Sequence, residues 1–367
     1  MSAGTVIWSE MSEVERERSV LDVVASLERG GLVVIPTETV YGVAVAARSA
    51  EGVARLRDLR SQTGPLTWHA ASVDAVRSLV DLPTAVHRRL VARLTPGPVR
   101  FEIEQTDTGL AALRERLGIE PGVIDDGTYV HVRMPSHPAG VAALAAAGGP
   151  VVAERLGVLG GLAEDRAPSI DAAEQAGLSS AIDGGPVAGR ASTTIRLRLN
   201  GAFEVTPGGA IDEATVLGAL QRTIAFVCTG NTCRSPMAEA IARGILAARP
   251  EDGITTRVVS AGVAAGPGSR ATPEAVDAVA AMGFDLSNHR SRSASVSALA
   301  AAEHIYTMTE GHRRALLELN PAFADRVEVL DRERDIPDPI GGPAALYEQT
   351  ARRLEELIRQ RLAEIEP

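Results

Sequence analysis

The sequence predicts two α/β domains in succession, and three observations carry that reading. The chain has 367 residues, well beyond the roughly 100–200 that one hydrophobic core usually serves. Short apolar, β-branched runs alternate with stretches of helical period, the pattern of βαβ units. Hydrophobic residues make up 45% and charged residues 23%, which excludes wholesale disorder, collagen-like repeats and a coiled coil.

In order along the chain, a helix is expected over Val14–Arg29 and a buried strand over Gly31–Ile35. The second half alternates more regularly. Strands are expected over Thr223–Val227, Thr256–Val259, His304–Met308 and Arg326–Leu330, and helices over Pro236–Ala248, Pro273–Met282, Gly311–Leu319 and Ala344–Ile365. A Pro207-Gly208-Gly209 turn and a short helix precede a joint near Leu220–Arg222, with no Pro/Ser-rich tether. The expected domains are therefore 1–220 and 221–367.

The most apolar stretch, Val141 to Ala153, is broken by Gly148, Gly149 and Pro150, so no membrane span is expected. Met1-Ser2-Ala3-Gly4 leads into Glu13-Val14-Glu15-Arg16-Glu17-Arg18 without a basic segment followed by an apolar one, which argues against a secretion signal. Two cysteines are too few for a disulfide framework and fit a reducing, cytoplasmic setting. Net charge is −10, with 27 acidic residues against 20 Arg up to residue 221 and 20 against 17 beyond it. Neither half carries the basic surplus of a general nucleic-acid binder. All 37 basic residues are Arg, a bias that GC-rich coding explains without reference to function.

Chemistry concentrates in Phe226-Val227-Cys228-Thr229-Gly230-Asn231-Thr232-Cys233-Arg234-Ser235-Pro236. An apolar strand delivers Cys228 to its C-terminal edge, Gly230 loosens the loop, and Pro236 stands where proline favours a first helical position. Successive backbone N–H groups at such a helix start form an anion cradle, and Arg234 can add two parallel hydrogen bonds to phosphate oxygens. The same field lowers a thiol from about 8.5 into the range of roughly 3.5–7.5, so Cys228 is expected as a thiolate nucleophile toward phosphorus. A proton for the leaving group could come from Asp338 in Asp335-Ile336-Pro337-Asp338-Pro339-Ile340-Gly341-Gly342, a rigid turn before the last helix. Spacing alone equally allows a turn aspartate or a helix cap.

Residues 222–367 resemble the low-molecular-weight protein tyrosine phosphatase family. The resemblance rests on Cys-x5-Arg-Ser at 228–235, Ser260-Ala261-Gly262 after the second strand, and Asp338-Pro339. It implies a Rossmann-like parallel sheet, with Cys228 as nucleophile, Arg234 as phosphate clamp and Asp338 as general acid. Thr229, Gly230, Asn231, Thr232, Cys233 and Ser235 would then line the phosphate. Asn231, Ser235 and Ser260 would brace the loop by hydrogen bonds, Ser235 also donating to the Cys228 sulfur. Cys228–Ala240, Gly341-Gly342 and Tyr347-Glu348-Gln349-Thr350 most resemble the YwlE-type protein-arginine phosphatases, in which a threonine at the Thr232 position favours phosphoarginine. The residue after Asp338-Pro339 is usually aromatic and is Ile340 here. The family also implies a reversible Cys228–Cys233 disulfide that protects the nucleophile. Arsenate reductases of the same fold need a further cysteine, and none follows Cys233. Phosphorylated proteins are the expected substrates, with no metal or cofactor.

Residues from about 16 to 220 resemble the YrdC/Sua5 family, whose active members make threonylcarbamoyl-adenylate from threonine, bicarbonate and ATP for tRNA modification. The supporting residues are Pro36-Thr37-Glu38-Thr39-Val40-Tyr41-Gly42, Pro65-Leu66-Thr67, Pro96-Gly97-Pro98, Arg133 with Pro135, and Asp183-Gly184-Gly185 leading to Ser192-Thr193. The resemblance implies a twisted open α/β sheet with a pocket drawing on Thr37, Thr39, Tyr41, Arg60, Arg133 and Ser192. The departures fall on the chemistry. Asp58-Leu59-Arg60 stands where the family has Lys-x-Arg on the nucleotide phosphates, Glu154-Arg155-Leu156 where it has Ser-x-Asn, and Arg100 where it has Thr. An acid in place of the lysine repels triphosphate, so the synthase reaction is expected to be lost. The alternatives are a working synthase fused to a phosphatase, or a module for nucleotide or double-stranded RNA if Arg88, Arg89, Arg93 and Arg100 form a patch.

Overall fold

The computed structural model describes residues 7–60 and 63–365; Met1-Ser2-Ala3-Gly4 lies outside them. The chain divides into two compact units, Met1–Ala219 and Leu220–Pro367. Among the described residues no helix is long and apolar enough to cross a membrane.

The first unit is built on a nine-stranded mixed sheet. Its strands are β1 (Val33–Ile35), β2 (Gly42–Ala46), β3 (Thr67–His69), β4 (Val99–Glu104), β5 (Tyr129–Arg133), β6 (Val151–Arg155), β7 (Ser180–Ala181), β8 (Thr193–Leu197) and β9 (Phe203–Val205), in spatial order β7-β1-β2-β6-β3-β5-β4-β8-β9. Around it run α1 (Glu13–Glu28), α2 (Ala50–Asp58), α3 (Val73–Arg77), α4 (Ala85–Leu94), α5 (Asp107–Leu117), α6 (Pro138–Ala146), α7 (Ile170–Gln175) and α8 (Glu213–Ala219). Helix α1 begins with a capping box between Ser12 and Glu15, which satisfies two of the N–H groups that a helix start leaves unpaired. It ends at Gly30, whose φ of +70° suits a residue without Cβ. There Gly31 N–H reaches back to Ser26 O and Gly30 N–H to Leu27 O, a C-terminal cap of the Schellman type. That cap consumes Gly31, so the strand expected from Gly31 starts at Val33.

The second unit is a four-stranded, all-parallel sheet of β10 (Gln221–Cys228), β11 (Thr255–Gly262), β12 (His304–Thr307) and β13 (Val327–Val329), in order β11-β10-β12-β13. Its helices are α9 (Arg234–Ala247), α10 (Pro273–Ala280), α11 (Val296–Leu299), α12 (Glu310–Leu319) and α13 (Ala344–Glu364). Side chains of β10 alternate between two cores. Ile224, Phe226 and Cys228 join Met237, Ile241, Leu354 and Ile358 on one face, while Ala225 and Val227 join Leu299, Leu316 and Phe323 on the other. A central parallel strand is covered on both faces, which is why this segment reads as one apolar run. The chain leaves β10 toward β11 on one side and returns to β12 on the other. In open α/β sheets the crevice for a ligand opens at such a reversal, beyond the carboxyl ends of the strands, and Cys228 is the last residue of β10.

One boundary differs in a way that matters for the site. Helix α9 starts at Arg234 with Cys233 as N-cap, so Pro236 is the third helical residue and not the first. The first-turn N–H groups have no intrahelical acceptor, so a proline there forfeits no helical bond. Arg234 and Ser235 thereby become helical residues fixed by packing.

Candidate active site

The loop after β10 folds around the Cys228 sulfur. Asn231 N–H donates to Sγ at 3.3 Å, and Ser235 Oγ lies 3.0 Å from Sγ. Asn231 has φ +53°, a left-handed conformation that asparagine tolerates better than most residues. Its side chain explains why the turn holds. Nδ2 donates to Ser235 Oγ at 3.0 Å and Ser260 Oγ at 2.9 Å, while Oδ1 accepts Arg292 N–H at 2.8 Å. Ser260 passes its own proton to Glu239 Oε2 at 2.6 Å. Asn231, Ser235 and Ser260 are thus one connected network, and all three are buried.

Gly262 allows the close approach. A Cβ there would stand 2.4 Å from Thr229 O and 2.8 Å from Asn231 N, so any side chain would push the loop off the end of β11. Ser235 has one proton and two acceptors within reach, Cys228 Sγ at 3.0 Å and Ala261 O at 3.2 Å. An ionised sulfur is the stronger claimant.

Arg234 is 4% exposed and stretched between three acceptors. Nη1 donates to Ile336 O at 2.9 Å, and Nη2 donates to Asp338 Oδ2 at 2.5 Å and Thr229 Oγ1 at 3.4 Å. Its Nε–H is buried with no protein acceptor. The loop carrying Asp338 is held at Ile336, whose N–H binds Met308 O at 2.9 Å, and at Asp335, whose Oδ1 accepts Glu310 N–H at 2.8 Å. Arg234 thus joins Asp338 to the residue next to Cys228, although Asp338 lies far along the chain.

Gly230 and Thr232 sit on the half-buried rim of the loop, and Thr229 is exposed. Ile340, beside Asp338, is 63% exposed and presents an aliphatic surface where an aromatic was the family pattern. Both cysteines are free thiols. Cys233 is buried, with Sγ 3.6 Å from Thr272 Oγ1 and 3.8 Å from Tyr347 Oη.

Three residues of the site carry no local motif. His289 Nε2 donates to Asn231 O at 2.8 Å, and burial pushes its pKa below the ordinary histidine value despite that bond. His312 Nε2 lies 2.8 Å from Thr229 Oγ1; burial and the Arg234 charge push its pKa down as well. Glu239 is the third, and it alone left a signal. A carboxylate within the helix stretch Met237-Ala238-Glu239-Ala240-Ile241, buried on all sides, needs a partner.

In the first unit a cavity of about 240 Å³ is lined by Thr37, His69, Arg100, Arg133, Glu154 and Ser192, among others. Arg133 Nη2 donates to Thr37 Oγ1 at 3.2 Å, Thr39 Oγ1 at 2.7 Å and Glu38 Oε1 at 2.7 Å. Burial raises the Glu38 pKa, but the Arg133 charge and Ser136 N–H outweigh it and hold the carboxyl below its usual value. His69, buried and near Arg133, is pushed down to about 4. Thr39, Tyr41 and Arg60 stand outside this lining. Thr39 is spent on Arg133, and Tyr41 donates to Gly185 O at 2.8 Å. Arg60 Nε pairs with Glu154 at 2.9 Å, and its Nη1 caps the carbonyls of Gly64 and Pro65. The four arginines Arg88, Arg89, Arg93 and Arg100 make no common exposed patch, since Arg89 is buried and Arg100 pairs with Glu102.

Comparison with known proteins places both units. Residues 25–206 match the Sua5/YciO/YrdC family, described as "Telomere recombination". Residues 223–367 match the family described as low molecular weight phosphotyrosine protein phosphatase. A protein-arginine-phosphatase of Bacillus subtilis (strain 168) is 39% identical over 142 residues, covering 37% of this chain and 92% of that protein. The protein-arginine-phosphatase of Geobacillus stearothermophilus is 39% identical over 146 residues, covering 38% and 93%. The low molecular weight protein-tyrosine-phosphatase Wzb of Salmonella typhi is 34% identical over 140 residues, covering 37% and 89%. With nearly the whole of these relatives spanned by the β10–α13 unit, the chain belongs to the low molecular weight phosphotyrosine protein phosphatase family and carries a YrdC-type domain ahead of it.

Proposed function

We propose that this chain hydrolyses phosphorylated protein side chains, phosphoarginine ahead of phosphotyrosine, through a phosphocysteine on Cys228. The observation that carries the reading is a sulfur at the sheet's reversal point with hydrogen-bond donors on it and a buried guanidinium beside its loop. Cys228 Sγ attacks phosphorus as the P–O or P–N bond to the side chain breaks, and Asp338 gives the leaving atom a proton. Water then attacks the phosphocysteine, Asp338 takes its proton, and the P–S bond breaks to release phosphate and the thiolate. Arg234 meets the phosphate with Nε–H, which has no protein acceptor, and with Nη2, for which the phosphate competes with Asp338. Loop amides meet the remaining oxygens. Asn231, Ser235 and Ser260 hold the loop in shape, and this reading calls for no cofactor or metal. It places the protein in a reducing cytoplasm, where both cysteines stay reduced.

Thr232 and Ile340 support the substrate order. A small hydroxyl at the rim leaves room for a guanidino N–H and can accept from it, and an aliphatic Ile340 offers a tyrosine ring less than an aromatic wall would. On matched peptides kcat/KM is expected to favour phosphoarginine by about tenfold or more. A tyrosine preference would overturn the substrate order, and turnover of neither peptide would overturn the reaction.

The first unit is proposed to have lost adenylate synthesis. Glu154 occupies Arg60, the arginine that the resemblance assigns to the nucleotide phosphates, with an internal carboxylate, and Glu38 does the same for Arg133. A triphosphate would have to displace both carboxylates to reach these two arginines. Calorimetric titration of the full chain with ATP is expected to show no binding up to about 1 mM, nor should adenylate form from ATP, threonine and bicarbonate. Adenylate formation would restore the synthase reading.

A further inference from the structure

We propose that His312 is a positioning residue for the phosphate clamp, holding Arg234 in place through the Thr229 hydroxyl as a neutral imidazole. The inference rests on the phosphatase reading above, and it assigns a direction to each proton in the chain of contacts. Arg234 Nη2 can only donate, so Thr229 Oγ1 accepts from it at 3.4 Å. The relay gives the single Thr229 proton to His312 Nε2, 2.8 Å away. That assignment makes Nε2 the lone-pair nitrogen and leaves the ring proton on Nδ1, 3.0 Å from Thr309 Oγ1. Thr309 is the N-cap of α12 and also accepts His312 N–H at 3.2 Å. A one-way relay of donors thus runs from the guanidinium to a helix start, and His312, 7% exposed, is its buried link.

The relay matters most with substrate in place. Of the acceptors that align the guanidinium, Asp338 is the one a phosphate displaces from Nη2. Ile336 O and Thr229 Oγ1 remain to set its plane. Thr229 is exposed, and the hydrogen bonds to its hydroxyl are those with Arg234 and His312. Without the imidazole that hydroxyl turns to water and the clamp loses one of its two fixed supports.

The relay also has a sign. The charged groups facing His312 are Arg234 from α9 and Asp335 and Asp338 from the loop before α13. On its own helix Glu310 and Arg313 pair with each other at 3.2 Å. Burial and Arg234 outweigh the two aspartates and put the His312 pKa below 6.5, the usual histidine value. The neutral relay is intact above that lowered pKa and is lost as pH falls through it, when Nε2 gains a proton and no longer accepts from Thr229.

The test uses the full chain with p-nitrophenyl phosphate between about pH 4.5 and 8, and inorganic phosphate as the binding probe. His312→Ala is expected to weaken phosphate binding and kcat/KM about tenfold at pH 7 in protein that is still folded at the assay temperature. His312→Gln can place a carbonyl where Nε2 was, which accepts but cannot be protonated. It is expected to recover to within about threefold of the parent at pH 7 and to keep a larger share of that activity at pH 5. Parent-like phosphate affinity in His312→Ala overturns the proposal, as does a Gln profile superimposable on the parent's acid limb. If His312→Ala fails to fold, the Gln profile decides alone. A parent inactive on p-nitrophenyl phosphate refutes the phosphatase reading instead, and the phosphate affinities still decide the positioning role.

Discussion

Cys228→Ser abolishes turnover, lowering kcat by about 10⁴-fold or more, which is a barrier increase of about 5 kcal/mol or more. The substitution changes one atom and little volume, so the effect reports chemistry and not folding. The groups on Sγ, Asn231 N–H and the Ser235 hydroxyl, can donate hydrogen bonds to a thiolate. They are not bases. The two histidines near the loop are committed elsewhere, His289 to Asn231 O and His312 to Thr229, so nothing withdraws the proton from a serine hydroxyl. A thiol needs only stabilisation to be a nucleophile, whereas an alcohol needs a general base that this loop lacks. Single-turnover assays with p-nitrophenyl phosphate, alongside inorganic-phosphate binding to show an intact cradle, check this. Serine turning over within tenfold of the parent would remove Cys228 from the reaction.

The site was legible in the sequence to the extent that it is contiguous. Cys228 through Ser235 declare themselves because strand end, loop and helix start follow one another within eight residues. Ser260 was readable only by resemblance, and Asp338 stood open between proton donor and turn residue without it, since serine and aspartate in loops are ordinary and only the reversal at β10 brings them near. His289 and His312 were not legible at all, because a lone histidine looks the same whether it supports a loop or fills a core. The α9 start was misread at Pro236 because proline's preference for the first helical position is a tendency that packing of Arg234 and Ser235 overrides. In the first unit most of the nine strands are too short for period to reveal. There the sequence exposed which motif positions had changed, and coordinates were needed to see that Glu154 turns its carboxylate onto Arg60.

Arg234→Lys is expected to lower kcat/KM by about 10³-fold, roughly 4 kcal/mol of transition-state stabilisation, although the charge is kept. Charge is the smaller part of what Arg234 contributes. Its planar fork reaches Ile336 O, Thr229 Oγ1 and Asp338 at once, with Nε–H left over for an oxygen of the phosphate. An ammonium is a point donor on a flexible stem and cannot span these acceptors in one plane. Two losses therefore compound. The phosphate loses its bidentate partner, and the Ile336 carbonyl loses the hydrogen bond by which Arg234 grips the Asp338 loop, so clamp and proton donor drift together. The variant is distinguishable from a folding defect because the second loss is specific to leaving groups. The deficit should be deepest for peptide substrates that need a proton from Asp338 and shallower for p-nitrophenyl phosphate, whose phenolate departs unaided. A uniform deficit across both substrates would mean that Arg234 serves the phosphate alone, and activity within tenfold of the parent would mean that a single positive charge suffices.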